Sequence, residues 1–312
     1  MKPLLIVNPR AGGGRAGRNF PLLRPVVERV LGAVDVAMTR ASGDAIAIAR
    51  EAAKAGRELV ISIGGDGTLH EVANGVLDAK EGGADQTAIG FIAEGTGGDF
   101  RKSLDLPHRL DRYLEAIGSG RERRVDAARA TFRNADGSEG RRWFVNILSA
   151  GLGGQVDRFV ADSPRALSGT AAYFWASVRA LAVSEPARIS CVIENGSERT
   201  ETQLAAWTIA VCNGGTFGSG MRIAPMARVD DGKLEVVALS APSKAGLVFL
   251  SRKLYAGKHL AEAGTFHQRG ERVEITPAPG TRERVFLDID GEPLGELPLR
   301  VEIVPAALRL RA

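Results

Sequence analysis

The sequence has little cysteine, few aromatic residues and no long apolar run. Its two cysteines, Cys191 and Cys212, both lie in apolar, strand-like segments of the 312-residue chain. Cysteines in such settings are usually small buried hydrophobic side chains, and two of them offer neither a disulfide framework nor a zinc site. A reducing compartment is therefore favoured.

Membrane-spanning and secretory segments are also missing. No apolar segment approaches the roughly 20 residues that a helix needs to cross a bilayer. Lys2 is followed by only four strongly apolar residues, Leu4–Val7, before Asn8. That run is shorter than the apolar part of a signal peptide. We therefore expect a cytoplasmic protein without a transmembrane segment.

The charge balance is weakly basic, with a formal net charge of +4. Such a balance suits nucleic acid, an anionic membrane surface or a polyphosphate substrate. Nucleic acid is the weakest of the three, because aromatic residues make up 5% of the chain and no nucleic-acid-binding motif is present. Arginine clusters at 121–124, 141–142 and 269–272 are suited to anionic lipid, which predicts peripheral contact with a membrane.

Several familiar catalytic patterns are absent. The chain has no Gly-Lys-Ser/Thr phosphate loop and no Gly-x-Ser-x-Gly nucleophile turn, and its four histidines are scattered without metal-ligand spacing. Gly12, Gly14 and Gly17 do match the dinucleotide-binding spacing, with Asp35 further on. However, four residues separate the first of these glycines from its strand, so a dehydrogenase ranks last among the alternatives.

The most informative segment is Gly64-Gly-Asp-Gly-Thr68, which follows the apolar run Leu59–Ile63 directly. It predicts a buried strand, a tight turn and a helix start. Thr68 is expected to cap that helix, with Glu71 completing a capping box. A helix N-terminus behind a glycine turn binds anions, and a carboxylate such as Asp66 beside it suits a Mg²⁺ ion.

Two further strands open into similar loops. Ala88–Ile92 leads to Glu94–Phe100, which contains three glycines, a threonine and an aspartate, and Leu4–Val7 leads to Asn8–Gly14. In a parallel sheet, ligands bind beyond the carboxyl ends of the strands. The three loops are therefore expected to converge on one phosphate site.

The order of elements predicts two domains. Strands and helices alternate over residues 1–124, which indicates a doubly wound parallel α/β domain. Residues 125–299 contain short strands and turn signals, which indicate a β-rich sandwich domain, and residues 300–312 are expected to return to the first domain. Helices are expected near Ser168–Val183 and Leu247–Leu254. The active cleft is expected between the domains.

With these segments in view, the sequence resembles the diacylglycerol kinase catalytic domain of bacterial lipid kinases. The resemblance rests on the three glycine loops, on residues 213–237 and on Leu287–Gly295, so it spans nearly the whole chain. The Gly64–Thr68 element alone is also similar to that of NAD kinases. The resemblance implies an ATP- and Mg²⁺-dependent kinase that phosphorylates a lipid hydroxyl at a membrane surface.

The resemblance also implies residue roles. The nucleotide-binding set would be Asn8, Gly12, Gly13, Thr39, Gly64, Gly65, Asp66, Gly67, Thr68, Glu71, Gly95 and Thr96. Catalytic Mg²⁺ would be held by Asp66, with Asp99 as a weaker candidate. The family usually has Asn before that aspartate, where this chain has Gly98.

The resemblance places the general base in Asp290-Gly-Glu292, with Glu292 preferred and Asp290 close behind. It also implies a structural Mg²⁺ held by Asp231 and by the backbone carbonyls of Arg228 and Lys233. NAD kinase activity and a catalytically silent lipid- or nucleotide-binding module are the alternatives. The lipid acceptor, the choice of ATP over another nucleotide and the oligomeric state, a homodimer included, stay open.

Overall fold

The computed structural model describes residues 1–94, 98–152, 154, 184–218, 220–281 and 284–312. The chain divides into two compact units. Unit 1 comprises Met1–Ala127 together with Pro305–Ala312, and unit 2 comprises Ala128–Val304.

Unit 1 is built on a parallel sheet. Its strands are β1 (Leu4–Val7), β2 (Asp35–Met38), β3 (Leu59–Gly64) and β4 (Ala88–Ala93). They lie in the order β4–β3–β1–β2, and each neighbouring pair is parallel. The end of the last strand pairs in parallel with β4, where Arg309 lies opposite Ala88. The chain thus returns to unit 1 at its end.

Helices cover this sheet. They are α1 (Ala11–Leu31), α2 (Asp44–Lys54), α3 (Asp66–Glu81), α4 (Phe100–Ser103) and α5 (Leu110–Gly118). The apolar side chains of α3 from Leu69 to Val76 are buried. Gly75 lets α3 approach α2 closely, because a Cβ there would lie 2.3 Å from the carbonyl oxygen of Ile46.

Strands β3 and β4 are buried along their whole lengths. This is typical of central strands in a parallel sheet with both faces covered, and it explains their unbroken apolar sequences. Their carboxyl ends open directly into Gly65 and Glu94. The loops that follow are therefore anchored on rigid elements.

Unit 2 is rich in antiparallel strands. They are β5 (Arg123–Arg133), β6 (Glu139–Phe144), β7 (Ile147–Gly151), β8 (Ala187–Asn195), β9 (Glu198–Ala206), β10 (Thr208–Cys212), β11 (Leu234–Leu239), β12 (Thr265–Gly270), β13 (Arg272–Pro277), β14 (Phe286–Ile289) and β15 (Glu292–Arg311). One set runs in the order β12–β11–β10–β7–β14–β15, and the other runs β9–β8–β13–β15.

The two sets of strands in unit 2 share an apolar core. Val211 and Leu287 of the first set belong to the same buried cluster as Ile189 and Ile275 of the second. Two sheets that share one core form a sandwich. The expected fold class, a parallel α/β domain plus a β-rich sandwich domain, is confirmed.

The expected helix near Leu247–Leu254 is present as α6 (Lys244–Ala256), which packs on the opposite face of the β10–β11 sheet. A short 3₁₀ turn, His259–Ala261, follows it. The expected helix near Ser168–Val183 lies outside the described residues. Both cysteines are free and buried. None of the helices in the described ranges is long and apolar enough to span a membrane.

Candidate active site

The first loop of unit 1 forms a left-handed turn after β1. Gly12, Gly13 and Gly14 have φ values of 59°, 66° and 84°, so regular helical geometry in α1 begins only after them. Residues with a Cβ atom rarely adopt this conformation. The turn presents bare backbone at the start of a 21-residue helix, where N–H groups and the helix dipole favour an anion.

This first loop contacts the end of β4. A Cβ on Gly12 would lie 2.5 Å from the carbonyl oxygen of Glu94. The same carbonyl accepts a hydrogen bond from Arg15 Nη2 at 2.9 Å, and Asn19 Nδ2 donates to Glu94 Oε2 at 3.3 Å. Two of the three glycine loops expected to converge therefore meet.

We expect Gly12→Ala to weaken ATP binding at least tenfold, because the methyl group would displace the Glu94 carbonyl. Gly32→Ala is the matched control: Gly32 also has positive φ, but its Cβ would meet no atom within 4 Å. Both variants should lose about 1–3 kcal/mol of unfolding free energy, because a residue with a Cβ is strained at the positive φ of Gly12 and at the φ of 76° and ψ of −158° of Gly32. Titration calorimetry with a non-hydrolysable ATP analogue tests this, and equal affinities for the two variants would contradict it.

The second loop is held together by Thr68. A Cβ on Gly64 would lie 2.3 Å from Thr68 Oγ1, so only glycine fits there. Asn8 Nδ2 donates to the same oxygen at 3.1 Å, and Asn8 Oδ1 accepts from the Arg10 N–H at 3.0 Å. Asn8 and Thr68 thus join the ends of β1 and β3 to the first turn of α3, beside the loops where the sequence predicts a phosphate site.

The expected capping box of α3 is wrong. The N-cap is Gly65, which has no side-chain cap, and Thr68 lies inside the helix. The carboxylate of Glu71 instead binds the start of α2, where it accepts from the Gly43 N–H at 2.9 Å and the Ala45 N–H at 3.1 Å. Negative charge is favoured at a helix N-terminus, which explains the choice. Glu71 therefore fixes the start of α2 against α3.

Asp66 and Asp99 meet across the loops that follow β3 and β4. Asp66 Oδ2 accepts the Asp99 N–H at 2.8 Å, and Asp66 is partly exposed at the first position of α3. Asp99 is buried and its carboxylate pairs with Lys102 Nζ at 2.6 Å. Asp66 is the more exposed of the two carboxylates, so it is the better candidate for an oxygen ligand of Mg²⁺.

No metal site is preformed within the described ranges: no group of three or more His, Cys, Asp or Glu side chains there is placed to bind a metal ion. Mg²⁺ usually keeps several waters and binds through one or two carboxylates together with substrate phosphates. The Asp66 carboxylate fits that manner of binding.

Cationic side chains surround the loop after β4. Burial and the positive charges of Arg101 and Arg15 lower the pKa of His108, whose Nδ1 lies 2.8 Å from the Tyr113 hydroxyl. Burial raises the pKa of Tyr113 to about 12. Burial is the largest cause of the low pKa of His108, and the two arginines add a smaller contribution of the charge sign that favours a polyphosphate.

The remaining predicted nucleotide-binding residues of unit 1 are Thr39, Gly67, Gly95 and Thr96. Thr39 is buried at the end of β2, where its N–H donates to the Val7 carbonyl at 2.9 Å. A Cβ on Gly67 would meet no atom within 4 Å. Gly95 and Thr96 lie outside the described residues.

Gly98 has a φ of 60°. Glycine and asparagine are the residues that enter this left-handed region most readily. Glycine in place of the family's asparagine therefore keeps the left-handed backbone conformation and removes only the side-chain amide.

In unit 2, Asp290 is the first residue of the two-residue hairpin loop between β14 and β15, and Glu292 directly follows that loop. Asp290 and Gly291 have φ values of 53° and 89°, and Ile289 pairs with Glu292. Both residues of a type I′ hairpin loop have positive φ, which explains the Asp-Gly sequence. Glu292 is partly exposed at the first position of β15.

Sequence reasoning missed the structural role of Asp290. Its carboxylate accepts three backbone N–H groups: Oδ2 from Val145 at 3.0 Å, and Oδ1 from Asn146 at 3.1 Å and from Ile147 at 2.8 Å. Hydrogen bonds of this kind hold a carboxylate as an acceptor in place. Glu292 is therefore the better candidate for the general base, and Asp290 holds the segment before β7.

Two asparagines that the sequence analysis did not single out support the same segment. Asn146 Nδ2 donates to the Thr216 carbonyl at 2.9 Å, and Asn213 Nδ2 donates to the Val145 carbonyl at 2.7 Å. Both are buried. The only signal in the sequence is that Asn213 directly follows an apolar strand. In the structure, residues 213–216 support the segment 145–147 that donates to Asp290.

At the predicted structural Mg²⁺ site, Asp231 already pairs with a cationic side chain of the protein itself. Asp231 Oδ2 forms a salt bridge with Arg269, and Oδ1 accepts the Lys233 N–H at 3.1 Å. Arg269 Nε also lies 3.2 Å from Glu235 Oε1. Arg228 Nε lies 3.5 Å from Asp230. The guanidinium already neutralises the carboxylate that would bind the metal, so these residues do not fit a structural Mg²⁺.

Without nucleotide, Mg²⁺ or EDTA should therefore leave the melting temperature unchanged. Arg269→Gln should lower it by about 2–4 °C, a shift typical of roughly 1 kcal/mol, and should make it rise with Mg²⁺. Arg300→Gln, which removes a surface pair with Glu274, is the control and should gain no response to Mg²⁺. A fall in the wild-type melting temperature on adding EDTA would contradict this expectation and support a structural Mg²⁺ at Asp231.

The fold and the phosphate loops together define a kinase with diacylglycerol kinase architecture. Residues 2–130 match the family described as "Diacylglycerol kinase catalytic domain", and residues 146–312 match the "YegS C-terminal NAD kinase beta sandwich-like domain". The chain belongs to this YegS-like family of the diacylglycerol kinase group.

Relatives agree with this assignment over nearly full length. The chain is 27% identical to the protein named "Probable lipid kinase YegS" from Salmonella paratyphi A, with 99% of this chain and 95% of that protein covered. A diacylglycerol kinase structure from Bacillus anthracis str. Sterne shares the fold at a TM-score of 0.70 and 23% identity, with coverage of 99% and 96%. Yeast NADH kinase gives a TM-score of 0.50 at 12% identity, with coverage of 99% and 82%.

Proposed function

We propose that this chain transfers the γ-phosphoryl group of ATP to a hydroxyl group of a lipid, in the presence of Mg²⁺. The observation that carries the proposal is the phosphate site of unit 1, where the left-handed turn Gly12–Gly14 contacts Glu94 and Asp66 stands at the start of α3. The name of the Salmonella relative and the family match support a lipid acceptor.

Phosphoryl transfer depends mostly on positioning and on charge neutralisation. The glycine turn would bind the phosphates through backbone N–H groups, and the cations Arg15 and Arg101 would balance their charge. Mg²⁺, held by Asp66, would neutralise charge that develops on the phosphate oxygens. Glu292 would accept the proton of the lipid hydroxyl as that oxygen attacks phosphorus.

The protein would work in the cytoplasm and visit the membrane peripherally. A diacylglycerol-like lipid or another lipid alcohol would serve as the acceptor. The β-rich unit 2 would bind the acceptor, because Glu292 lies there. NAD phosphorylation is the second candidate, and the similarity in fold to yeast NADH kinase favours it.

Separate reactions with one labelled donor distinguish the two candidates. Purified protein is incubated with γ-labelled ATP and Mg²⁺, together with either mixed micelles of bacterial lipids or NAD. We expect label in a lipid, identified by its mass, and none in NADP. Label in NADP alone would replace the proposal by the second candidate. ATP binding without label in either acceptor would favour a silent binding module.

A further inference from the structure

Helix α6 of unit 2 has an inner and an outer face. The inner face carries Leu247, Leu250 and Leu254, which are buried in the cluster beneath the β10–β11 sheet. Ser243 caps the helix by accepting the Gly246 N–H, and Gly257 ends it in a left-handed conformation with φ of 66°. The helix is therefore firmly attached, and its outer face is held in a fixed orientation on unit 2.

The outer face is unusually apolar. Val248, Phe249 and Tyr255 are 47%, 59% and 56% exposed. They are three of the eight large hydrophobic side chains that are exposed among the described residues. Their positions, with Arg252 between them, follow the 3.6-residue helical repeat, so they form one stripe. An exposed apolar stripe of this kind marks an interaction surface.

The charges on and beside the stripe have one sign. Residues 244–258 contain Lys244, Arg252, Lys253 and Lys258, and no acidic residue. Lys253 lies 4.9 Å from the centre of the Phe249 ring and pairs with Glu262. Arg252 and Lys258 are exposed. Aromatic and aliphatic side chains flanked by basic ones are typical of helices that lie in the interface of an anionic membrane.

We propose that the outer face of α6 is the surface by which this protein binds an anionic bilayer. Phe249, Val248 and Tyr255 would enter the headgroup region, and Arg252 and Lys258 would meet lipid phosphates. Each basic residue near an anionic surface adds electrostatic attraction to it. The inference rests on the proposed function, since a lipid kinase must reach an acceptor that resides in a membrane.

The size of the stripe favours lipid over a second copy of the chain. A helix of 13 residues is roughly 20 Å long and about 10 Å wide, which gives a footprint of roughly 200 Å². A stable protein interface buries about 800 Å² on each partner. A single helix face with one sign of charge is also not self-complementary, because like charges would meet across a two-fold axis.

Sedimentation with vesicles tests the proposal without any catalysis. Vesicles of phosphatidylcholine alone and vesicles with one third phosphatidylglycerol are compared at low and high salt. We expect the wild type to bind the anionic vesicles and to dissociate as salt rises. Phe249→Ser combined with Arg252→Ser should weaken binding at least tenfold. The control is Leu22→Ser, which removes a 78% exposed apolar side chain from α1 in unit 1, and it should bind like the wild type.

Several results would overturn the proposal. They are no binding of the wild type to anionic vesicles, equal binding by the α6 double variant, or an equal loss for Leu22→Ser. A wild-type dimer that the α6 variant converts to a monomer would assign the surface to a second copy. Melting temperatures of all variants confirm that unit 2 stays folded.

Kinase assays separate this inference from the proposed function. The α6 variant should phosphorylate lipid in detergent micelles at the wild-type rate and lose at least tenfold on vesicles. Vesicle binding that depends on α6, in a protein that phosphorylates no lipid, would retain the surface and reject the proposed activity. Equal rates of the variant and the wild type on vesicles would reject the surface and retain the activity.

Discussion

Glu292→Gln is expected to lower lipid phosphorylation by about 10²–10⁴-fold, the usual contribution of a positioned general base. The amide has the shape of the carboxylate but cannot accept a proton from the attacking hydroxyl. Glu292 is partly exposed at the first position of β15, so its replacement should leave the free energy of unfolding within about 0.5 kcal/mol of the wild type, as for most surface changes. Steady-state kinetics measures the loss of activity, and thermal or denaturant unfolding measures the stability.

Asp290→Asn is the matched comparison, because it changes the neighbouring acid in the same hairpin. An asparagine side chain has one acceptor oxygen, whereas the Asp290 carboxylate accepts three backbone N–H groups. We expect a clear fall in melting temperature together with reduced activity. A stable Asp290→Asn variant without activity, beside an active Glu292→Gln variant, would show that Asp290 is the base.

The second large effect is expected from Asp66→Asn, which should lower phosphoryl transfer at least a hundredfold. Asparagine keeps an oxygen that can accept the Asp99 N–H, now 2.8 Å from Asp66 Oδ2. It removes the negative charge through which the Asp66 carboxylate would attract Mg²⁺. The activity should therefore fall while the fold persists, and the Mg²⁺ concentration for half-maximal rate should rise.

Asp99→Asn provides the comparison for Asp66. The carboxylate of Asp99 is buried and paired with Lys102. Its loss leaves that ammonium group without a partner, so the main effect should be on stability rather than on the Mg²⁺ requirement. A larger change in Mg²⁺ dependence for Asp99→Asn than for Asp66→Asn would reverse the assignment.

The sequence predicted the strand, turn and helix of the second glycine loop correctly, because the signal there is local. A buried strand, a glycine turn and a helix start are adjacent in the chain at Leu59–Leu69, so their arrangement follows from backbone chemistry alone. The hairpin at Asp290-Gly291 is a similar case, since its positive φ values favour that dipeptide.

Side-chain partners could not be read in this way, because the fold selects them from distant parts of the chain. Glu71 binds Ala45, 26 residues away, although a partner three residues away was expected. Asp290 binds Ile147 across 143 residues. Arg269 pairs with Asp231, 38 residues away, where the sequence analysis expected a metal ion. Polar side chains pair with the tertiary neighbours that complete their hydrogen bonds, and residue spacing along the chain does not reveal which neighbours these are.

The outer face of α6 shows the same division. The apolar residues from Leu247 to Leu254 predicted a helix, and α6 confirms it. Periodicity alone could not say that Phe249 and Val248 face solvent while Leu247 and Leu250 face the core. That difference depends on how the helix is rotated against β10 and β11.

The most direct test of the central proposal is transfer of the γ-phosphate of labelled ATP into solvent-extractable lipid by the wild type and Glu292→Gln, side by side. Each protein is first shown to bind the ATP analogue, so that an inactive preparation is recognised. We predict a labelled lipid band with the wild type and at least a hundredfold less label with the variant. A wild type that binds the analogue and labels no lipid, or equal label with both proteins, would contradict the proposal.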